Sequence, residues 1–404
     1  MSSIAISIAK GKDPYATTFE ALKKLPEPEV RNRRVLLKPN VSRMLPHTQG
    51  ATTNPQVVAA AIDYFKSLDA VDIAIGESPI TGVRISEAYE ISGIKEIACA
   101  RNTKLLDFDS QPYQILKIPG GRVINQIKVT WFWWNFDFIV SIPVMKTHMH
   151  TDVTLALKNM KGMLWRRQKV VFHQIHVPEH RKDGEKELDL AISDMTSALY
   201  PHMAIIDGSI GMEGLGPGAG QPKAADLIVA STDALSADWI ATRLMGIDPK
   251  TVAHLRLTAA HRTFDQAAVQ CIPSDFKRFI TPFSRPPQKI SFRYPGVQVF
   301  EKESCSACLN TLYLFLERYH HRLKPYLDIY GTLNLAVGRG VTEFPSETIF
   351  IGNCCGHLSD EGDRILVVGC PPTDSQIWAK VYEKQECKKR TLQNIRKSEA
   401  DSGY

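Results

Sequence analysis

Apolar residues fall in short runs that end in polar, chemically capable positions. Arg34-Val-Leu-Leu-Lys-Pro39 reads as a buried strand. So do Asp72-Ile-Ala-Ile-Gly76, Phe136-Asp-Phe-Ile-Val-Ser-Ile-Pro143, Met203-Ala-Ile-Ile-Asp-Gly208 and Asp226-Leu-Ile-Val-Ala-Ser231. Met1-Ser-Ser-Ile-Ala-Ile-Ser-Ile-Ala9 carries no basic segment or cleavage site and predicts a further strand. Helical spacing fills the gaps. Asn54 stands as N-cap and Pro55 as first residue of a helix reaching Phe65, and further helices are predicted over 188–199, 233–245 and 250–261. Near-continuous apolar strands separated by helices predict an α/β core, a mainly parallel sheet with helices on both faces.

The pattern changes after residue 270. Ile272 to Pro295 is proline-rich and predicts a connection. A smaller α+β module follows, with a helix over 309–323, strands over 348–352 and 364–369, and a last helix over 374–384. The expected organisation is an α/β substrate-binding domain over 1–270, a linker over 271–296, a cysteine-bearing module over 297–388 and a charged, mobile tail over 389–404.

Net charge is +6, a diffuse surplus that favours anionic small molecules. Nucleic acid is not expected, because no basic run interleaves with stacking aromatics. No apolar stretch approaches the roughly 18 residues of a membrane span. A cytoplasmic location is expected, where clustered cysteines serve metals more than disulfides.

Polar positions follow the predicted strands: Lys38-Pro39-Asn40, Gly76-Glu77-Ser78, Met145-Lys146-Thr147-His148 and Asp207-Gly208-Ser209. In open parallel sheets ligands bind beyond the carboxyl ends of strands. Lys38, Lys146, Lys158 and Lys161 are expected to neutralise a bound anion, with Asn40, Thr147, Asn159 and Gly208 orienting it. Glu77, Lys146, His148 and Asp207 are the catalytic candidates, with His148 and His173 the better histidines for proton transfer. His148, His150, His173, His176 and His180 form a loose cluster without a metalloprotease pattern. The glycines from Gly208 to Gly220 predict either a phosphate cradle or a solvent loop. Trp131-Phe-Trp-Trp134 reads as packing, with a stacking platform as the alternative.

Cys305-Ser-Ala-Cys308, Cys354-Cys355 and Cys370-Pro371 supply five clustered cysteines, while Cys99, Cys271 and Cys387 are scattered. Cys305, Cys308, Cys354 or Cys355, and Cys370 would hold one [4Fe–4S] cluster, with zinc the alternative.

In order along the chain, Leu37-Lys38-Pro39-Asn40, Thr52-Thr53-Asn54-Pro55, Gly76-Glu77-Ser78, Pro143-Val-Met-Lys146-Thr147-His148, Lys158-Asn159-Met-Lys161-Gly162, Asp207-Gly208 and Ser231-Thr-Asp233-Ala-Leu-Ser-Ala-Asp238 resemble domain-of-unknown-function family 362. That resemblance implies an α/β domain often joined to iron–sulfur modules, without a settled activity. Many relatives carry compact ferredoxin-like cysteine runs, and this chain has none. The expected function is an iron–sulfur oxidoreductase or cluster-assisted enzyme acting on an anionic small molecule, with an electron-donor protein as partner. The alternatives are a zinc-stabilised ligase, transferase or hydrolase acting on a phosphorylated metabolite, and an electron carrier without a substrate.

Overall fold

A computed structural model of the protein describes residues 4–177, 185–286, 294–358 and 364–401. The chain divides into two units, Met1–Pro286 and Pro287–Tyr404.

In the first unit the strand order is Val269–Ile272, Ile4–Lys10, Leu227–Ser231, Met203–Glu213, Phe138–Ile142, Arg34–Pro39, Asp72–Glu77, Lys104–Asp107. From Met203–Glu213 to Lys104–Asp107 every neighbour is parallel. Leu227–Ser231 alone in this series runs antiparallel to both of its neighbours. The apolar runs are continuous because both faces are covered. Val35 and Leu37 pack with residues of the Pro14–Lys23 and Pro55–Ser67 helices, while Leu36 packs with residues of the Glu187–Ala198 helix. Asn54 caps the Pro55–Ser67 helix by accepting from the Gln56 N–H at 2.9 Å.

Three local readings change. Met145–His148 is part of a strand, Val144–His148, rather than a loop; it pairs with Met203–Glu213 and with Asp152–Thr154. The strand expected to stop at Gly208 runs on to Glu213, and Gln221–Lys223 folds back against it. Val269–Ile272 is an edge strand and Phe276 and Phe283 are buried in the first unit, so the proline-rich segment as far as Pro286 belongs to that unit. The sequence pattern also passed over the Tyr113–Lys117/Gln126–Thr130 hairpin, whose strands alternate between core and solvent over only five residues each.

The second unit is a four-stranded sheet in the order Val297–Glu301, Leu333–Val337, Thr348–Ile351, Ile365–Val367, with every pair parallel. Helices Ser306–Tyr319 and Lys324–Tyr330 lie in sequence between its first two strands. The last helix runs from Asp374 to Asp401, through much of the segment expected to be a mobile tail. No glycine or proline interrupts it, and the three-apart pairs Lys380–Glu383 and Lys389–Glu386 support its surface.

Gly50 has φ +66°, and a Cβ there would run into the Gly211 carbonyl. Gly50→Ala is expected to cost at least about 2 kcal/mol, through backbone strain and overpacking together. A fall in the denaturant midpoint of the full chain measures it.

Candidate functional site

Several of the polar residues picked from the sequence gather near the C-terminal ends of the parallel strands, and most are buried. Lys38 is fully buried and forms an ion pair with Glu77 Oε2 at 2.8 Å. Its ammonium also donates to Asn159 Oδ1 at 3.0 Å and to the Pro39 carbonyl at 2.9 Å. An ammonium has three donors, and all three are engaged. Glu77 is equally occupied: Oε2 also accepts from the Val41 N–H and Oε1 from the Ser78 N–H. Asn159 returns its amide N–H to the Lys38 carbonyl and to Ser141 Oγ. The expected substrate contacts of Lys38 and Asn159, and the expected proton transfer by Glu77, give way to a closed brace that ties three chain segments together.

Lys146 is a different case. Lys146 and His148 are two apart on one strand and so project from the same face. Lys146 Nζ donates to Asn40 Oδ1 at 2.6 Å and to the Ala51 carbonyl. Burial lowers its pKa to about 7, with Arg43 pushing the same way and Asp207 opposing. Asp207 anchors the adjacent loop: Oδ2 accepts from the Asn54 N–H at 2.8 Å, and Oδ1 accepts from the Ser209 N–H and hydroxyl. Burial raises the Asp207 pKa against those donors.

Lys158 is buried and donates to Thr154 Oγ1 at 3.2 Å. Among the described residues no carboxylate pairs with it. Burial, then Lys161 beside it, lowers its pKa well below the usual lysine value. Asp238 fixes its helix, accepting the Ala156 and Leu157 N–H groups at 2.7 and 2.9 Å. Lys161 Nζ lies 3.0 Å from His173 Nε2. Arg43, missed in the sequence although it lies three residues beyond Asn40, has no hydrogen-bonded or ion-paired partner among the described residues. A Cβ on Gly218 would meet its guanidinium at 2.8 Å.

His148 Nδ1 accepts from the His150 and Thr151 N–H groups at 3.1 and 3.3 Å. A ring nitrogen that accepts carries no proton, so this pattern assigns the proton to Nε2. Burial and then Lys158 hold its pKa well below the ordinary histidine value. His148 thus presents a neutral N–H in this pattern, and burial disfavours the protonated form that the expected proton transfer would pass through. His173 is held neutral in the same way by burial and Lys161.

Other expectations shift. Thr147 Oγ1 donates to the Gly214 and Met212 carbonyls and so serves the fold. Gly208 pairs with Leu227 inside the sheet, where a Cβ would sit 2.9 Å from the Leu227 carbonyl. Its role is close strand packing, and the segment from Gly208 to Glu213 is strand rather than phosphate cradle. His176 is part-exposed, 3.5 Å from Glu187. His180 lies outside the described residues. Lys169 was also missed: it donates to Ser78 Oγ and to the Leu164 carbonyl, and burial lowers its pKa to about 8.

In the second unit, Cys305 caps the N-terminus of the Ser306–Tyr319 helix. The neighbouring Cys308 thiol, with the N–H groups of Cys308 and Ala307, pushes the Cys305 pKa down, against the effect of burial. Cys308 senses Cys305, Cys370 and Cys354, and Cys354 senses Cys305 and Cys370, so four thiols share one electrostatic neighbourhood. Cys355 does not share their role. Its thiol is fully buried, 3.4 Å from the Gly338 carbonyl, within a cluster that includes Ala336, Val341 and Phe350. Of the adjacent pair, Cys354 is the candidate ligand and Cys355 is core. Gly352 has φ +88°, and a Cβ on it would reach 2.9 Å from Cys308 Sγ. Among the described residues no three His, Cys, Asp or Glu side chains converge closely enough to hold a single metal ion.

A Cβ on Gly162 would run into Glu77 Oε1 and the Lys38 ammonium. Gly162→Ala is expected to force the brace apart and cost about 1–3 kcal/mol. A lowered melting temperature of the full chain, with Gly356→Ala as the control in open space, tests this.

The model of the family described as Domain of unknown function (DUF362) matches residues 35–243. The thylakoid-associated protein sll1697 of Synechocystis sp. (strain ATCC 27184 / PCC 6803 / Kazusa) is 27% identical over 239 residues, covering 57% of this chain and 71% of that protein. The structure of the lactate racemase apoprotein from Thermoanaerobacterium thermosaccharolyticum aligns with a TM-score of 0.40 at 11% identity, covering 61% of this chain and 58% of that chain. The matched segment is more than half of the chain and contains the Lys38–Glu77 brace, Lys146, His148 and Lys158: this protein belongs to the DUF362 family.

Proposed function

We propose that the protein is an iron–sulfur enzyme whose first unit binds an anionic small molecule at Lys146, Lys158 and Arg43. One observation carries the reading: two buried lysine amines, neither of them in an ion pair with a carboxylate among the described residues. Lys146 has two of its three donors engaged and Lys158 has one, which leaves donors for a ligand. Buried cations are ordinarily paired, and a bound carboxylate or phosphate would supply the missing charge. His148 would add a neutral Nε2–H to an oxygen of that ligand. Lys146 is the group suited to hold or release a proton near neutral pH, and an anion beside it would favour its charged form.

The thiols of Cys305, Cys308, Cys354 and Cys370 suit an iron–sulfur cluster, which spreads its ligands more widely than a single ion does. Gly352 leaves room beside Cys308 Sγ. Such a cluster supplies one-electron transfer when bound. An electron-donor protein as partner and a cytoplasmic setting belong to the same proposal. Among the described residues, no helix is long and apolar enough to cross a membrane.

Inorganic phosphate and malonate are suitable calorimetric probes of the anion site. Lys146 is charged below about pH 7 and neutral above it. Anion affinity is therefore expected to fall as pH rises through that value, approaching tenfold per pH unit where binding requires the ammonium. Lys146→Met removes that dependence. The stability consequence has the opposite sign. From about pH 7 to 10 the unfolded chain holds the Lys146 proton and the folded chain does not, so stability rises with pH. Lys158→Met is expected to weaken anion binding while leaving the melting temperature unchanged or raised, because a buried amine without an ion-pair partner is replaced by apolar volume. Anion affinity that ignores all three changes overturns the proposal.

Anaerobically purified protein is expected to carry about four irons with matching acid-labile sulfide. Cys354→Ser is expected to lose them and Cys355→Ser to keep them. One zinc per chain without sulfide would replace the cluster with the zinc alternative.

A further inference from the structure

The Tyr113–Lys117/Gln126–Thr130 hairpin has one face in the core and one in water. Ile127 and Val129 are buried, and Leu116 packs against the same cluster. On the outer face Tyr113 is 38% and Ile115 47% exposed, and Ile115 stands opposite Lys128 in the ladder. The chain then enters a short 3-10 helix, Trp131–Asn135. Residues three apart in such a helix eclipse one another. That geometry puts Trp131 and Trp134 on one side, 40% and 43% exposed, while Phe132 and Trp133 pack toward the core. Large apolar side chains collected this way call for a partner.

The charge of the segment selects the partner. From Ser110 to Phe136 there is no Asp or Glu, whereas Lys117, Arg122 and Lys128 are present. Lys128 Nζ lies over the Tyr113 ring at 4.4 Å, and Arg166 lies over the neighbouring Trp165 ring at 4.5 Å. Cations held over partly exposed aromatic rings place positive charge beside apolar surface. Tryptophan and tyrosine favour the boundary between water and acyl chain, and lysine stems lie along apolar surface with the charge at the headgroups. An acidic protein would match the charge but not the two exposed indoles and Ile115.

We propose that this face docks reversibly on an anionic lipid surface, with Trp131, Trp134 and Ile115 entering the headgroup boundary and Lys117 and Lys128 meeting lipid phosphates. The attachment is peripheral. A small apolar contact reinforced by a few lysines gives salt-sensitive binding rather than insertion.

Sedimentation of the full chain with vesicles of phosphatidylcholine, with and without phosphatidylglycerol, tests the proposal. Binding is expected only with phosphatidylglycerol, falling as sodium chloride is raised. The Trp131→Ala/Trp134→Ala and Lys117→Glu/Lys128→Glu pairs are each expected to bind at least about tenfold more weakly. All four positions lie outside the anion site, so phosphate binding should be unchanged. Vesicle binding equal in both variant pairs, or absent for the unaltered chain, overturns the proposal. So does a concentration-dependent dimer that the tryptophan pair abolishes, which would assign the face to a second copy, or a preference for a single-stranded oligonucleotide over the vesicles.

Discussion

Withdrawing a lysine amine from water without an ion-pair partner penalises its charged form heavily, and the first unit does this twice. Lys146 and Lys158 are each more than nine-tenths buried, and each has only neutral oxygens as hydrogen-bond partners. The surroundings relieve them only in part: Arg43 presses Lys146 and Lys161 presses Lys158 toward the neutral form, against Asp207 and Glu77 for the first and Asp189 for the second. Such an arrangement is sustained by the rest of the structure.

The rest of the structure is built to bear that cost. The Lys38–Glu77 pair is saturated with hydrogen bonds, so a buried charge there is matched on every side. It joins the ends of two parallel strands to the segment that carries Lys158 and Asn159. Asp238 grips the start of that segment from another helix, and Asp207 holds the loop whose Ala51 carbonyl receives Lys146. Fixed carboxylates and amides position the cations, and the cations keep donors in reserve. This division is the usual form of a preorganised site, in which orientation is settled before a ligand arrives.

In the second unit the same logic operates through sulfur. A helix N-terminus places the backbone N–H groups of Ala307 and Cys308 near Cys305 and favours its thiolate. Two residues adjacent in sequence, Cys354 and Cys355, diverge because a short 3-10 turn follows the Thr348–Ile351 strand and turns one thiol into the apolar cluster beneath the sheet. The other remains in the neighbourhood of Cys305, Cys308 and Cys370.

Much of this was written in the one-dimensional pattern. Runs such as Val35-Leu36-Leu37 are apolar on both sides of the strand and therefore announce a covered parallel sheet, and the polar residues closing those runs must lie at its carboxyl edge. The gathering of Lys38, Glu77 and Lys146 followed from that, as did the proximity of Cys305 to Cys308. What a residue does there depends on how many of its donors and acceptors are already engaged, and sequence spacing cannot count them. Only tertiary contacts turned Lys38 into a brace and left Lys158 with donors to offer. They fixed the His148 proton on Nε2, enlisted Arg43 from a loop with no pattern of its own, and sent Cys355 into the core. Local periodicity sets which way a side chain faces; partners from distant segments set its charge and its remaining hydrogen-bonding capacity.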